Sequence, residues 1–455
     1  MRFQPHEYQS RAIRFILDRP FCALWLDMGL GKTVTTLTAL DELIYDRCEV
    51  NRVLIIAPKS VALNTWSSER DKWDHLKHLT VSIVMGTPAK RIKALDTPAD
   101  IYVTNRDNIS WLVSRYAKAR EPFPFDCVVL DESSSFKNHK SQRYKALRSV
   151  RPYIRRLIEL TGTPSPNGLE DIWAQVYLLD QGQRLGRYLS HYRDRWFKPG
   201  ARNGSVVYCW HPRPYAYSEI SERLSDITLT MSAADYLLMP QLIDAGMTIM
   251  LPEIDEYRRF AKDAVMRLDG EDIVATSAVA LTNKLLQFSS GAVYDTEHKW
   301  HEVSTAKLDA LCDIAESTDE PLLVMFNYRH ELCRIMECLP DAIHFCGEPE
   351  ILERWNRGEI HVMLCHPASV SYGLNLQAGG HIIIWYSLTY NLEQYQQANA
   401  RLYRQGQTKP VMRYHLVCRG TFDEAVLRAL ARKDDMQAAL IQSIKNLRDE
   451  ETCVG

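Results

Sequence analysis

Short runs that are apolar at nearly every position, each closed by a turn signal, recur along this 455-residue chain. Val53-Leu54-Ile55-Ile56-Ala57 ends on Pro58, and Cys127-Val128-Val129-Leu130 ends on Asp131. Leu322-Leu323-Val324-Met325-Phe326, His361-Val362-Met363-Leu364-Cys365 and His381-Ile382-Ile383-Ile384-Trp385 repeat the pattern. A strand with one wet face alternates polar and apolar residues; these do not, so both their faces are covered. Helical patterns separate the runs, and that alternation specifies parallel sheets in α/β layers. The runs fall into two sets, before about Asp180 and after about Ala306, and the length suits two or three domains. The expected divisions are a first lobe at 1–182, an intervening stretch at 183–300 and a second lobe at 301–455. The intervening stretch carries Pro199, Gly200, Pro212, Pro214, Pro240 and Pro252 among pieces such as Glu256 to Leu268, and reads as a mostly helical insertion and linker. Near the end, Thr421-Phe422-Asp423-Glu424 has capping-box spacing, and Val426, Leu427 and Leu430 give the helix it starts an apolar face.

Composition narrows the class. With 46% hydrophobic and 25% charged residues the chain is of globular type, and no stretch reaches the roughly 20 apolar residues of a membrane span. Met1 to Glu7 has no apolar signal core, so a cytosolic protein with no membrane partner is expected. The eleven cysteines are scattered, with no C-x-x-C pair, and indicate neither a zinc ribbon nor a disulfide scaffold. In the densest group, Cys333, Cys338, Cys346, His361, Cys365 and His366, packing of small hydrophobes outweighs a metal site. Net charge is −2, so any nucleic acid has to be held by a local groove.

Leu24-Trp25-Leu26 leads as a strand into Asp27-Met28-Gly29-Leu30-Gly31-Lys32-Thr33, and a helix with Val34, Leu37, Leu40 and Ile44 inward follows. Strand, glycine turn, Lys-Thr and helix make a phosphate cradle. Gly29 and Gly31 let backbone N–H groups approach, Lys32 reaches the terminal phosphates and Thr33 binds magnesium. The usual first glycine of such a loop is Leu26 here. Asp131-Glu132, directly after an apolar strand, supplies what the cradle requires downstream: Asp131 to hold magnesium and Glu132 to orient or deprotonate water. Together these specify ATP hydrolysis with Mg2+. Further on, Gln396 to Gln407 sets Arg401 and Arg404 three apart, which on a helix is one face. Arginines brought to a γ-phosphate are worth about 10³–10⁵ in rate; the bland alternative is a solvated helix face.

Taken together these residues resemble the Swi/Snf family of superfamily 2 helicase-like ATPases over nearly the whole chain. Asp27 to Thr33 is similar to that family's phosphate loop, and Tyr8-Gln9 to the upstream segment whose Gln reads adenine, which implies nucleotide contact by Gln9. Ala57-Pro58-Lys59-Ser60, with Trp66 and Glu69, resembles the motif that touches the nucleic-acid backbone, and implies contact by Pro58, Lys59 and Ser60. Leu160 to Asn167 resembles the element that couples hydrolysis to lobe movement. Gly373-Leu374-Asn375-Leu376-Gln377 followed by Arg401-x-x-Arg404-x-Gly-Gln is the most specific match, and places Gly373 at the nucleotide. Asp235 to Pro240 resembles the inter-lobe linker, with Tyr257 after it. The resemblance implies two RecA-like lobes flanking an ATP cleft, and translocation on double-stranded or branched DNA with little sequence preference. There are departures. The family's Asp-Glu-Ala-His is Asp131-Glu132-Ser133-Ser134 here, which leaves open how that corner addresses the Leu160–Asn167 element. Gln405 stands where Ile is usual. Short insertions point to a compact bacterial or phage member, working in a bacterial cytosol or nucleoid or in an infected host cell.

Between Lys137 and Arg156 lie eight cations and no acid: Lys137, Lys140, Arg143, Lys145, Arg148, Arg151, Arg155 and Arg156. They form a phosphate-binding patch or a solvated basic helix, and both readings stay open. Tyr192 to Lys198 mixes cations with aromatics, which stack on bases or, as the stronger reading, belong to the core. Two rivals accompany the translocase: a strand-separating DNA or RNA helicase, and a nucleotide-switched binding scaffold with little turnover.

Overall fold

The computed structural model describes residues 1–453 except Ser205, Tyr208, Asp269, Gly270, Thr276, Ser371, Tyr372 and Gly373. The chain forms two compact units, Met1–Leu237 with Lys433–Gly455, and Leu238–Arg432. Numbering only the strands of the two large sheets, the first unit contains β1 (Phe21–Leu26), β2 (Val53–Ala57), β3 (Val81–Ile83), β4 (Ile101–Asn105), β5 (Cys127–Asp131), β6 (Arg156–Thr161) and β7 (Thr228–Met231). They lie in the order β7-β1-β6-β5-β2-β4-β3, every neighbour parallel. All five residues of β2 are fully buried, as a strand covered on both faces demands. Trp25, Tyr102, Phe125, Phe136, Tyr144 and Trp173 fill the core around the sheet.

The second unit holds β8 (Leu242–Ile249), β9 (Leu322–Met325), β10 (Ile343–Phe345), β11 (Val362–Cys365), β12 (Ile382–Trp385) and β13 (Val411–Cys418). Their order is β8-β13-β12-β9-β11-β10, again wholly parallel. Both units are RecA-like parallel sheets with helices on their faces. The 183–300 stretch gives β7 to the first sheet and β8 to the second. Its aromatics Tyr192, Trp196 and Phe197 are core residues of the first unit, the Tyr192 hydroxyl donating to Leu169 O at 2.7 Å.

Two local expectations need correction. The helix read over Glu256 to Leu268 runs from Ile254 to Asp263 and stops where Ala264 turns left-handed, with φ 56° and its N–H on Phe260 O. Val265–Leu268 then pairs antiparallel with Glu271–Val274, its side chains alternating between exposed and half-buried at strand period. At the closing helix Phe422–Cys453, the capping box is displaced by one residue. Thr421 Oγ1 accepts from Asp423 N at 3.3 Å, and Glu424 Oε1 accepts from Gly420 N at 3.1 Å. Val426 and Leu430 are buried as expected.

The strand order sets what can meet what. β1, β6 and β5 are adjacent and parallel, so their carboxyl ends share one edge, where parallel sheets place ligand sites. Trp25 pairs with Thr161, and Leu160 pairs with Asp131. The glycine turn, the acidic pair and the 161–167 loop therefore leave the sheet side by side.

Candidate active site

After β1 the backbone turns through Gly29 at φ 88° and Gly31 at φ 74° into the helix Lys32–Asp41. A Cβ on Gly31 would stand 2.7 Å from Gln9 Nε2. Glycine is thus required there both for its left-handed backbone and for the close approach of Gln9. Gln9, on the first helix Glu7–Asp18, is buried; its Oε1 accepts from His6 N at 3.0 Å and its Nε2 donates to Leu30 O at 3.5 Å. Lys32 Nζ arches back to donate to Leu26 O at 2.7 Å and Asp27 O at 3.4 Å. Gly162, from the loop after β6, faces it: a Cβ there would lie 3.3 Å from Leu26 O and 3.7 Å from Lys32 Nζ. Thr33 is half-buried in the helix's first turn. Asp27 Oδ2 accepts from Ala233 N at 2.9 Å and braces the loop from below.

Asp131 closes β5. Its Oδ2 accepts from Trp66 Nε1 at 3.0 Å, so Trp66, buried on the helix Trp66–Lys72, orients the carboxylate. Burial raises the Asp131 pKa and Lys32 is the strongest opposing charge. A bound divalent cation would reverse that balance. Glu132 is left-handed, at φ 54° and ψ 61°, an uncommon conformation for a residue with a side chain and one that gathers at functional corners. Two left-handed glycines opening a helix, an ammonium held by carbonyls of its own loop, and a buried carboxylate beside it suit a magnesium nucleotide.

In the second unit the arginine segment differs from expectation. The helix Leu392–Asn399 ends before Arg401 and Arg404, which stand on successive turns and not on one helical face. Beyond it Asn399 O takes two N–H groups, from Leu402 at 3.2 Å and Tyr403 at 2.9 Å, and Asn399 Oδ1 accepts from Trp385 Nε1 at 3.0 Å. Arg401 is buried, its Nε on Gln397 O at 3.1 Å and its Nη1 on Leu374 O at 2.9 Å. Arg404 is half-buried, and burial lowers its pKa. Gln407 Nε2 donates to Gln377 O at 2.9 Å and Gly380 O at 2.8 Å, tying the Leu374–Gln377 segment to the arginines. Gly373 lies outside the described residues.

Pro58 is buried at the end of β2, with Lys59 and Ser60 exposed after it. Lys137 pairs with Asp171 at 3.6 Å, Arg143 with Asp107 at 3.7 Å, and Lys140, Lys145, Arg148 and Arg155 are exposed. Two members of the basic stretch are interior instead. Arg151 donates to the carbonyls of Ile154, Leu178 and Leu179, and Arg156 to those of Ile16 and Leu17 and to Glu49. The sequence reading missed Gln175, Glu159 and the role of Trp66. A glutamine inside the apolar helix Ile172–Asp180 was the available signal.

Residues 8–200 match the SNF2-related domain. Putative protein p41 of Acyrthosiphon pisum secondary endosymbiont phage 1 is 36% identical over 458 residues, covering 97% of this chain and 99% of that protein. A DNA repair and recombination protein RAD54-like of Drosophila willistoni is 21% identical over 503 residues, covering 97% of this chain and 63% of that protein, so the chain spans less than two thirds of its length. Among solved structures, the Sulfolobus solfataricus SWI2/SNF2 ATPase core in complex with dsDNA aligns at a TM-score of 0.44 with 19% identity, covering 98% of this chain and 95% of that one. The chain belongs to the SNF2-related family and is a helicase-like, ATP-hydrolysing enzyme of it.

Proposed function

We propose that this ATPase couples hydrolysis to movement along double-stranded DNA. The observation that carries the reading is the shared edge of β1, β5 and β6, which sets the glycine turn, Asp131-Glu132 and the 161–167 loop next to one another. Gln9 binds the base, and the Gly29 and Gly31 turn cradles the phosphates with Lys32 on their terminal oxygens. Thr33 and Asp131 hold magnesium, which when bound neutralises phosphate charge. Glu132 orients the attacking water. The family resemblance assigns cationic charge for hydrolysis to Arg401 and Arg404 and nucleotide contact to Gly373. Lys59 and Ser60, behind Pro58, and the cations Lys137, Lys140 and Arg143 contact the DNA backbone, which gives affinity without sequence preference. The Drosophila relative, a DNA repair and recombination protein, supports DNA as the track.

The test is steady-state ATPase activity without nucleic acid and then with single-stranded DNA, blunt duplex, forked DNA and RNA, at two salt concentrations. Strong stimulation by blunt duplex is expected. Stimulation by single strands or RNA alone would replace the translocase with a strand-separating helicase. Lys32→Ala and Glu132→Gln are expected to abolish turnover while duplex binding persists, and wild-type turnover in Glu132→Gln would remove that residue from its role.

A further inference from the structure

The corner after β5 is tied to the loop after β6 by a buried polar line. Ser133 Oγ donates to Gln175 Oε1 at 3.0 Å, and Gln175 Nε2 donates to Pro164 O at 2.7 Å and to Asp171 O at 2.9 Å. Both side chains are fully buried. Glu159, a carboxyl in the middle of β6 that is 1% exposed, lies beside Ser133; burial pushes it well above the usual carboxylate range, and the Ser133 hydroxyl opposes that shift. Donor and acceptor match at each joint from Ser133 through Gln175 to Pro164.

Packing alone has no use for this arrangement. The helix Ile172–Asp180 is otherwise apolar along most of its buried length, and a leucine at 175 would fill a similar volume without a polar group to satisfy. The hydroxyls on either side of Pro164 do not anchor the loop: Thr163 Oγ1 and Ser165 Oγ are buried without a hydrogen-bond partner among the described residues. At the other end, Ser133 directly follows Glu132, whose left-handed backbone depends on what holds its neighbours.

We propose that Gln175 is a positioning residue that, through Ser133, transmits the state of the Asp131-Glu132 corner to the 161–167 loop. It takes over a task left open by the serine at 134, where the resembled motif has histidine. The inference rests on the translocase reading for its meaning, but part of its test does not.

The experiment measures kcat and KM for ATP, with and without blunt duplex, for wild type, Gln175→Leu, Ser133→Ala, the double variant and Glu159→Gln. Turnover is normalised to nucleotide-binding stoichiometry, which removes any misfolded fraction. In Gln175→Leu, duplex-stimulated kcat is expected to fall by about tenfold to a hundredfold, the scale of a misplacement near 1 Å. The ratio of stimulated to basal rate should collapse toward one, with KM unchanged. Ser133→Ala should do the same, and the double variant no worse than either single change, because the residues act in series. The double variant removes both partners of the Ser133–Gln175 bond at once, so its melting temperature should fall by less than the two single losses summed, without recovery of coupling. Glu159→Gln should keep coupling, since Glu159 lies off the line from Ser133 through Gln175 to Pro164. A wild-type stimulation ratio in Gln175→Leu overturns the proposal, as does a coupling loss that recovers together with melting temperature in the double variant. If no nucleic acid stimulates the wild type, the translocase reading fails on its own. The inference is then read on basal kcat per bound nucleotide, which Gln175→Leu must still lower.

Discussion

Gly31 and Gly29 look equivalent in the phosphate turn, yet the structure separates them. Both are left-handed, so either alanine bears a backbone cost of about 1–2 kcal/mol. The Gly29 Cβ would meet only Leu237 Cδ1 at 3.8 Å, an ordinary contact, whereas the Gly31 Cβ would stand 2.7 Å from the amide of Gln9. Gly31→Ala is therefore expected to weaken ATP by about tenfold more than Gly29→Ala does, one hydrogen-bonded side chain being worth about 1.4 kcal/mol. Titration with a non-hydrolysable ATP analogue reads this, and equal losses would mean that Gln9 does not contact the nucleotide. In the second unit, His415 is 4% exposed and bonded to the Tyr395 hydroxyl at 2.8 Å. Burial first, then Arg413, lowers its pKa to about 4. A base with a depressed folded pKa contributes stability that is fully present above the unfolded value, near 6.5, and is lost as pH falls toward 4. The full loss is about 3 kcal/mol. The melting temperature of His415→Asn is accordingly expected to fall less steeply than that of wild type between pH 6.5 and 4. An identical slope would assign the acid sensitivity elsewhere.

At the scale of elements, the helix Ile254–Asp263 ends on an alanine where a left-handed residue is needed. Ala264→Gly removes that penalty and should stabilise by about 1 kcal/mol, read as a rise in melting temperature, with no change in turnover. The same terminus shows why sequence reading lost this boundary. Val265 to Leu268 continues apolar residues at spacings a helix also accepts, and nothing in Asp263-Ala264 announces a left-handed turn. The arginine segment failed in the same way: the Leu392–Asn399 helix ends at Asn399, whose side chain is held by Trp385, 14 residues earlier. A tertiary bond of that kind has no local signature. Strands β2, β5, β9, β11 and β12 and the end of β1 were legible because burial on two faces writes itself as an unbroken apolar run; β8, whose residues alternate between exposed and half-buried along most of its length, carries no such run. The glycine turn and the acidic pair were legible for a related reason: phosphate chemistry requires those residue types directly after a strand. Gln175 was not, because its significance lies in partners 42 and 11 residues away, Ser133 and Pro164.

For the molecule as a whole, a net charge of −2 denies long-range attraction to DNA, so binding has to come from cations that are not already engaged inside the fold. Arg151 and Arg156 are engaged by backbone carbonyls, and Lys137 and Arg143 each face a carboxylate. Lys59, Lys140 and Lys145 are exposed. Counterion release makes the logarithm of affinity fall with the logarithm of salt by about 0.9 per phosphate neutralised. Lys140→Gln and Lys145→Gln are each expected to weaken duplex binding uniformly across sequences and to flatten that slope by about one unit. Lys137→Gln should flatten it less, because Asp171 already screens that ammonium. Fluorescence anisotropy across a salt series distinguishes the cases. If all three variants keep the wild-type slope, the DNA does not cross this face, and the loop behind Pro58 becomes the place to test next. If Lys137→Gln has the largest effect, DNA has displaced Asp171 from it, and the side chains of the Gln142–Val150 face rearrange when the track is bound.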